Sequence, residues 1–347
     1  MLSRAGAPAL RAMDSTVLVP MVRNPLNPGR DLADAQEFPA ETLRLVGQRR
    51  DALRRKGDLW ADFFAGEVRR RIENGSFLGV LWFGPGGEPV ALAHWEPAGE
   101  VGRRGQVYLG EGFQRRSVLE AFLHRLESGP TAHPPFVSWS DEIPGVSEAD
   151  RDAVFAGRGF FGVVRADMRL PAGIELPHLA PLPGYDPRAL SVADETRMAE
   201  LLFRVYQESP ERALFATTLD QREEARRGVW NVLHGEVGEW LSRASFGIER
   251  DGRLIALTLA NDFEGGLIAE VGVDPSHRRQ GLARRLLSLT TDSLRSAGFR
   301  VPRLVVSMWN PGAVRLYRSL GFEFVPGGAS RIWLNLRALG VSRPPPP

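Results

Sequence analysis

The chain has 347 residues, more than a single hydrophobic core usually serves, so two units are expected. Its 44 basic and 42 acidic residues leave a net charge of +2, its 43% hydrophobic content is that of a globular protein, and no apolar run reaches the ~18 to 20 residues of a spanning helix, which excludes a membrane protein. The absence of cysteine removes disulfides, zinc-thiolate sites and acyl-cysteine chemistry, while a lone lysine, Lys56, excludes a Walker A loop and argues against a pyridoxal phosphate Schiff base.

Residues 1–12 read as a loose N-terminal extension without an apolar signal-peptide core, and Met13 offers an alternative start; a cytoplasmic protein is expected. Lys56 falls on a charged helix end. The segment from 13 to 172 carries strand and helix patterns, with large apolar residues at Trp82, Trp95, Phe113, Phe122 and Trp139 that suit a core. Proline and glycine then crowd Pro171 to Gly184, marking a linker over 173–183.

In the second segment, 184–340, apolar residues at helical spacing predict helices over 194–208 and 220–243, the latter carrying Val229, Val232, Leu233, Val237, Trp240 and Leu241 on its apolar positions. A hairpin follows, Ser245 to Glu249 and Arg253 to Asn261, turning on Asp251-Gly252. Leu267 to Val273 alternates as a strand and stops at Asp274-Pro275. A helix then opens near Gly281 and closes at Gly298, and Leu304 to Met308 is the next strand. Asn310-Pro311 opens a helix with Ala313, Leu316, Tyr317 and Leu320 on one face; Ser330 to Leu336 is the last strand, and 341–347 a proline-rich tail.

The loop Ser276 to Arg284 joins a strand to a helix start. Free N–H groups and the positive end of the helix dipole converge there, which suits a phosphate. Gly281 lets an anion approach the backbone, Ala283 keeps the first turn uncluttered, and Arg278, Arg279 and Arg284 add positive charge. The six histidines show no ligand spacing, so no metal is expected; basic residues are scattered rather than striped, which argues against a nucleic-acid partner.

Arg278-Arg279-Gln280-Gly281-Leu282-Ala283 resembles the Q/R-x-x-G-x-G/A motif of the GNAT acetyltransferase superfamily, with Val273-Asp274-Pro275 before it. Asn310, Ala313, Tyr317, Gly321 and Phe322 resemble the family's second motif. The resemblance implies an α/β (α+β) fold with a mixed, mostly antiparallel sheet flanked by helices, and acetyl-CoA as cosubstrate. It implies that the strands Leu267 to Val273 and Leu304 to Met308 splay apart to admit the pantetheine arm, with a backbone N–H near Val271 to Val273 meeting the thioester oxygen. The pyrophosphate would lie on Gln280 to Arg284, with Asn310 and Ala313 beside the cofactor. Tyr317 would protonate the departing thiolate, unless it is a core aromatic. For the base that deprotonates the amine, Glu270 stands where several family members carry an acid, although alternation points it away from Val271 and Val273 unless a bulge intervenes. Leu267 holds another common base position, and Asp262 and Glu264 are alternatives.

The first segment repeats the second at a spacing of about 164 residues: Phe155 to Phe160 against Tyr317 to Phe322, Val90 to Leu92 against Ile255 to Leu257, and Arg115 to Leu119 against Arg279 to Ala283. Two tandem folds follow, the first degenerate. In this alignment Ser117 and Leu119 replace Gly281 and Ala283, Phe155 replaces Tyr317, and Glu148 replaces Asn310. The expected activity is direct transfer of an acetyl group to a primary amine of a small molecule or peptide. The alternatives are a non-catalytic acyl-CoA-binding module or an aminoacyl transferase of the paired GNAT-like type. The tandem layout is similar to that of the mycothiol synthases. A monomer or homodimer is expected, with one CoA per chain and the acceptor on the helices 194–243 and on whatever surface the first segment contributes.

Overall fold

Turn glycines and apolar periodicity divide the two halves into similar runs of elements, the second with one more helix and one more strand. The computed structural model describes residues 32–55, 61–84, 86–98, 102–128, 136–140, 143–176, 179, 182–209, 211–215, 221–263 and 265–340. The extension 1–12, Met13, Lys56, Glu264 and the tail 341–347 lie outside the described residues. The first half comprises β1 (Leu32–Asp34), α1 (Pro39–Arg55), α2 (Ala61–Glu73), β2 (Gly79–Phe83), β3 (Pro89–Ala98), β4 (Gly102–Leu109), α3 (Arg116–Ser128), β5 (Phe136–Ser140), α4 (Glu148–Ala156) and β6 (Phe161–Arg169). The second comprises β7 (Pro187–Ala189), α5 (Glu195–Gln207), α6 (Arg212–Phe215), α7 (Gln221–Leu233), β8 (Glu239–Trp240), β9 (Phe246–Arg250), β10 (Arg253–Asp262), β11 (Leu267–Val273), α8 (Leu282–Ser296), β12 (Arg303–Ser307), α9 (Pro311–Ser319) and β13 (Glu323–Leu334).

Local signals hold where they are strongest. The hairpin β9–β10 turns on Asp251 and Gly252 with φ of 50° and 75°, the left-handed pair that matches the twist of the flanking strands. The helix expected over 220–243 stops at Leu233, because Gly235 and Gly238 take φ of 87° and 85°, outside the right-handed helix. Trp240 instead pairs with Asn261 as part of β8.

All strands join one sheet in the order β1-β2-β3-β4-β5-β13-β6-β12-β11-β10-β9-β7, with β8 on β10. Both halves build an antiparallel run with one parallel pair, and then exchange their last strands. β6 runs along β12 from Arg303 opposite Arg169 to Ser307 opposite Arg165, and β13 runs along β5 from Ile332 opposite Ser140 to Leu334 opposite Ser138. The two exchanged strands pair with each other, with a shift of register between Phe324 and Ala329. Side chains follow the backbone across. Trp333 of β13 is buried in the first half's core with Trp139 and stacks on Phe155 at 5.0 Å, while Met168 and Leu170 are buried among Leu304, Tyr317 and Phe322 of the second.

The large apolar residues of the first half are core. Phe122 and Trp139 are fully buried, and Trp82, Trp95 and Phe113 pack against them. Trp139 also lies across β4, where a Cβ on Gly105 would meet its ring at 2.3 Å. Glycine is therefore required there by space alone.

A chain beginning at residue 184 would lack β6, leaving β12 and β13 with unpaired edges and the Met168 and Leu170 sites open. Such a fragment is expected to be insoluble or aggregated by size-exclusion chromatography, with recovery of soluble protein when residues 1–183 are co-expressed.

Candidate active site

The parallel pair β11–β12 is joined at one place, Leu267 opposite Arg303. From there the strands separate, so the edge of β11 that faces β12 lacks a pairing strand over Ile268 to Val273. The equivalent pair of the first half stays closed, matched from Arg103 opposite Phe136 to Gln106 opposite Ser140. A gap able to accept an extended chain between strands exists in the second half and is zipped shut in the first.

Below the gap lies the loop Asp274 to Gly281. Asp274 accepts from the Ser276 N–H at 3.2 Å and pairs with Arg204 of α5 at 2.7 Å, fixing the loop's entry. Burial raises the pKa of Asp274, but Ser276 and Arg204 outweigh it and hold the carboxyl at about 2. Arg279 and Gly281 both take positive φ, 65° and 80°. Gly281 caps α8 with no side-chain hydrogen bond, and the first helical bond runs from the Arg285 N–H to the Gly281 carbonyl. The N–H groups of Leu282, Ala283 and Arg284 thus have no intrahelical acceptor. A Cβ on Gly281 would meet nothing within 4 Å, so its glycine answers to the left-handed backbone and leaves open space above it. This cradle fits a pyrophosphate. By contrast, the N-terminus of α9 is satisfied internally, Asn310 accepting from the Ala313 N–H at 3.1 Å.

The other expected residues divide between loop and core. Arg278 reaches the Val205 and Val273 carbonyls, each at 3.3 Å, and Arg284 reaches Ser319 of α9 at 2.6 Å, while Arg279 and Gln280 are exposed. Leu282 is a core side chain, so only its backbone faces the loop. Val271 and Ala313 pack with Tyr317, and Val273 packs with Ile248 and Leu286.

The first half's version of this loop corrects one expectation. Leu119 donates to the Arg115 carbonyl as Arg285 donates to Gly281, so Arg115, not Ser117, holds the place of Gly281, and Leu119 is a fully buried core residue one turn on. Likewise Ser147, not Glu148, occupies the cap position of Asn310, accepting from Asp150. Phe155 does match Tyr317: the N–H of Phe160 closes on one and that of Phe322 on the other.

Above the gap is a cleft of about 490 Å³ lined by both halves. Its floor includes β4, β6, β11 and β13, and its walls are α1 and α2 on one side and α5 and α7 on the other. Glu270 lines it. The register of β10–β11 jumps from Leu259 opposite Glu270 to Ala260 opposite Ile268, leaving Ala269 as an extra residue. This bulge resets the alternation and sends Glu270 into the cleft. Tyr206 of α5 donates to its Oε2 at 2.7 Å. Burial pushes the Glu270 carboxyl up to about 7; the Tyr206 hydrogen bond and Arg165 oppose this, and Glu211 adds to it.

Tyr317 is buried on the α9 face with Ala313 and Leu320, and its hydroxyl has no hydrogen-bond partner among the described residues. Burial, then the fields of Glu211 and Glu270, raise its pKa above the ordinary phenol value, so it keeps its proton through the neutral range. Glu211 itself accepts from Asn310 at 2.9 Å. Of the alternative bases, Leu267 is a buried apolar side chain and Asp262 is exposed at the end of β10, outside the cleft lining. Tyr206, Glu211 and Arg165 carry no sequence signal for these roles; their placement arises from packing of α5, the α5–α6 connection and the exchanged strand β6.

The sequence profile of the Acetyltransferase (GNAT) family matches residues 201–322. Mycothiol acetyltransferase of Thermomonospora curvata is 30% identical over 244 residues, covering 67% of this chain and 75% of that protein. Among solved structures, a GCN5-related N-acetyltransferase from Sphaerobacter thermophilus matches with a TM-score of 0.54 at 19% identity, over 87% of this chain and 94% of its own. A tandem GNAT protein from the clavulanic acid biosynthesis pathway matches with a TM-score of 0.51 at 16% identity, over 87% and 97%. The two structural likenesses concern the fold alone.

Titration of the Glu270 carboxyl, followed by carbon-13 NMR, is expected to show a midpoint near pH 7. Tyr206→Phe removes a hydrogen bond that favours the ionised form, so the midpoint should move upward. A midpoint in the ordinary carboxylate range in the intact protein would contradict the burial account.

Proposed function

Because this chain belongs to the GNAT family of acetyltransferases, we propose that it transfers an acetyl group from acetyl-CoA directly to a primary amine of a small molecule or peptide, at a site in its C-terminal half. The reading rests on Glu270, a carboxyl held at about 7 in a cleft, on the strand that parts from its neighbour above an uncapped helix start. An attacking amine arrives as ammonium, and a base half ionised near neutrality is matched to taking its proton.

Acetyl-CoA supplies the activated thioester carbonyl that the amine attacks. The N–H groups of Gln280 to Arg284 hold its pyrophosphate, with Arg278, Arg279 and Arg284 adding positive charge around it. A backbone N–H near Val271 to Val273 donates to the thioester oxygen, where charge develops as the bond to nitrogen forms. Tyr317, protonated throughout the neutral range, returns a proton to the departing sulfur. Asn310 and Ala313 open α9 beside it.

The units are 13–172 and 184–340, joined by 173–183 and exchanging their final strands. In the first, closed pairing of β4 and β5 and the side chain of Arg115 at the place of Gly281 support a stoichiometry of one CoA per chain. Its role is to complete the sheet and one wall of the acceptor cleft.

Turnover of acetyl-CoA against a panel of amines, followed by thiol release, tests the reading. The acid limb of kcat/KM should have its midpoint near pH 7, rate rising with pH as Glu270 ionises, and Glu270→Gln should lower kcat/KM by about 10² to 10⁴ and remove that limb. Tyr317→Phe should lower kcat with CoA affinity retained. An unchanged rate when chemistry is limiting would return Tyr317 to a packing role.

Gly281→Glu places a Cβ on a left-handed backbone and a negative charge where the pyrophosphate would lie, so calorimetric CoA binding should be lost while the thermal midpoint shifts modestly. Normal binding by that variant would put the cofactor elsewhere.

A further inference from the structure

The cleft contains two cations with no carboxylate bonded to them among the described residues, although Arg165 lies in the field of Glu270 and Arg104 in those of Glu224 and Glu96. Arg165 stands on β6 and Arg104 on β4, both from the first half, and both line the same cleft as Glu270. Arg165 makes no hydrogen bond or ion pair among the described residues, and its Nε is buried without a partner. Arg104 donates only to the Leu214 carbonyl at 2.9 Å and has no ion pair among them. Other arginines lining the cleft are engaged: Arg331 with Asp152, and Arg227 with Glu224 at 2.8 Å. Asp167, the acid that alternates with Arg165 on the same face of β6, is held by Arg303 at 3.3 Å.

Arg165 is half-buried with its Nε shut away from any acceptor, which is costly, and the planar guanidinium fork matches a carboxylate in two parallel hydrogen bonds. We propose that Arg165 and Arg104 receive a carboxylate of the acceptor, so that the second substrate is an amine that also bears a carboxylate. This rests on the acetyltransferase reading given above, and it assigns the first half a share in substrate recognition. Spacing narrows the class further. Paired strands lie about 4.8 Å apart, and β11 has already parted from β12 at Glu270, so the Glu270 and Arg165 backbones, with β12 between them, stand more than about 10 Å apart. Arg104, across β13 and β5 from β6, closes on the same space from the far side. An ω-amino acid or a dipeptide spans that interval better than an α-amino acid, whose two charged groups share one carbon.

Calorimetry on the CoA-loaded full chain tests the assignment without requiring turnover. The probes are glycine, 6-aminohexanoate and glycylglycine, each against its carboxamide, together with phosphoethanolamine. The expected result is that 6-aminohexanoate or glycylglycine binds at least about tenfold more tightly than its amide. Arg165→Gln and Arg104→Gln should each weaken binding of the acid about tenfold, while leaving the affinity for the amide unchanged. Equal affinity for acid and amide, no binding of any acid, or tighter binding of phosphoethanolamine than of every carboxylate would overturn the proposal. Acetyl transfer to amines with no preference for acids would also overturn it and leave the acetyltransferase reading standing. Acid-selective binding that responds to both arginine variants, without transfer to any bound amine, would support the carboxylate pocket and defeat the acetyltransferase reading instead.

Discussion

The reciprocal pairing of β6 with β12 and of β13 with β5 is the constraint on which the remaining structure depends. Each half contributes a strand, and the side chains on it, to the other's sheet. Met168 and Leu170 fill the core beneath Tyr317, and Trp333 fills the core around Trp139. Truncating a buried aromatic of that kind costs about 3 to 5 kcal/mol, a large share of the stability of an ordinary domain. The same pairing supports β12 from one side along its length. That support lets β12 stand apart from β11 on the other side without fraying, so the gap is held open by a neighbour from the first half.

The cleft inherits its electrostatics from this arrangement. Glu270 is shielded from water by the wall of α5 and by the exchanged sheet, and shielding disfavours its charge. Tyr206 stabilises the ionised form with one hydrogen bond, Glu211 acts against it through space, and Arg165 acts for it. A carboxyl near neutrality results from four groups on four segments. The closed β4–β5 pair shows the alternative outcome of the same fold, in which Trp139 and Phe136, stacked at 4.0 Å, occupy the region as core.

Features encoded over a few residues were legible in the sequence. Asp251-Gly252 specified its turn, Asn310 its cap, and Gly281 the start of α8, because each depends on backbone torsions or on a partner three residues away. The end of α7 was not legible: Val237, Trp240 and Leu241 continue the helical spacing while lying in a loop and a strand, and two glycines with positive φ decide the matter. Internal alignment missed by two residues at Arg115, since the loop before α3 is shorter than that before α8 and sequence identity there is too thin to place the gap. The orientation of Glu270 turned on the bulge at Ala269, a property of pairing register that one strand read alone does not contain. The strand exchange was invisible for a related reason. Trp333 and Met168 are large apolar side chains that call for burial, but which half buries them is decided only when all the strands are present.

The exchange also imposes an order of events during synthesis. A tandem protein made of independent units can finish its first unit while the second is still being made. Here β5 has no neighbour on one side until Leu334 has emerged, and β6, though complete much earlier, finds its place only between two strands of the second half. The first half must therefore wait with an open sheet edge and an unfilled position beside Trp139 and Phe155. Contacts of such long sequence separation form slowly, because the chain loses freedom before it gains stability. The nascent chain passes through a state in which half of it is synthesised and its sheet still lies open at β5, and that interval is where a chaperone has something to bind.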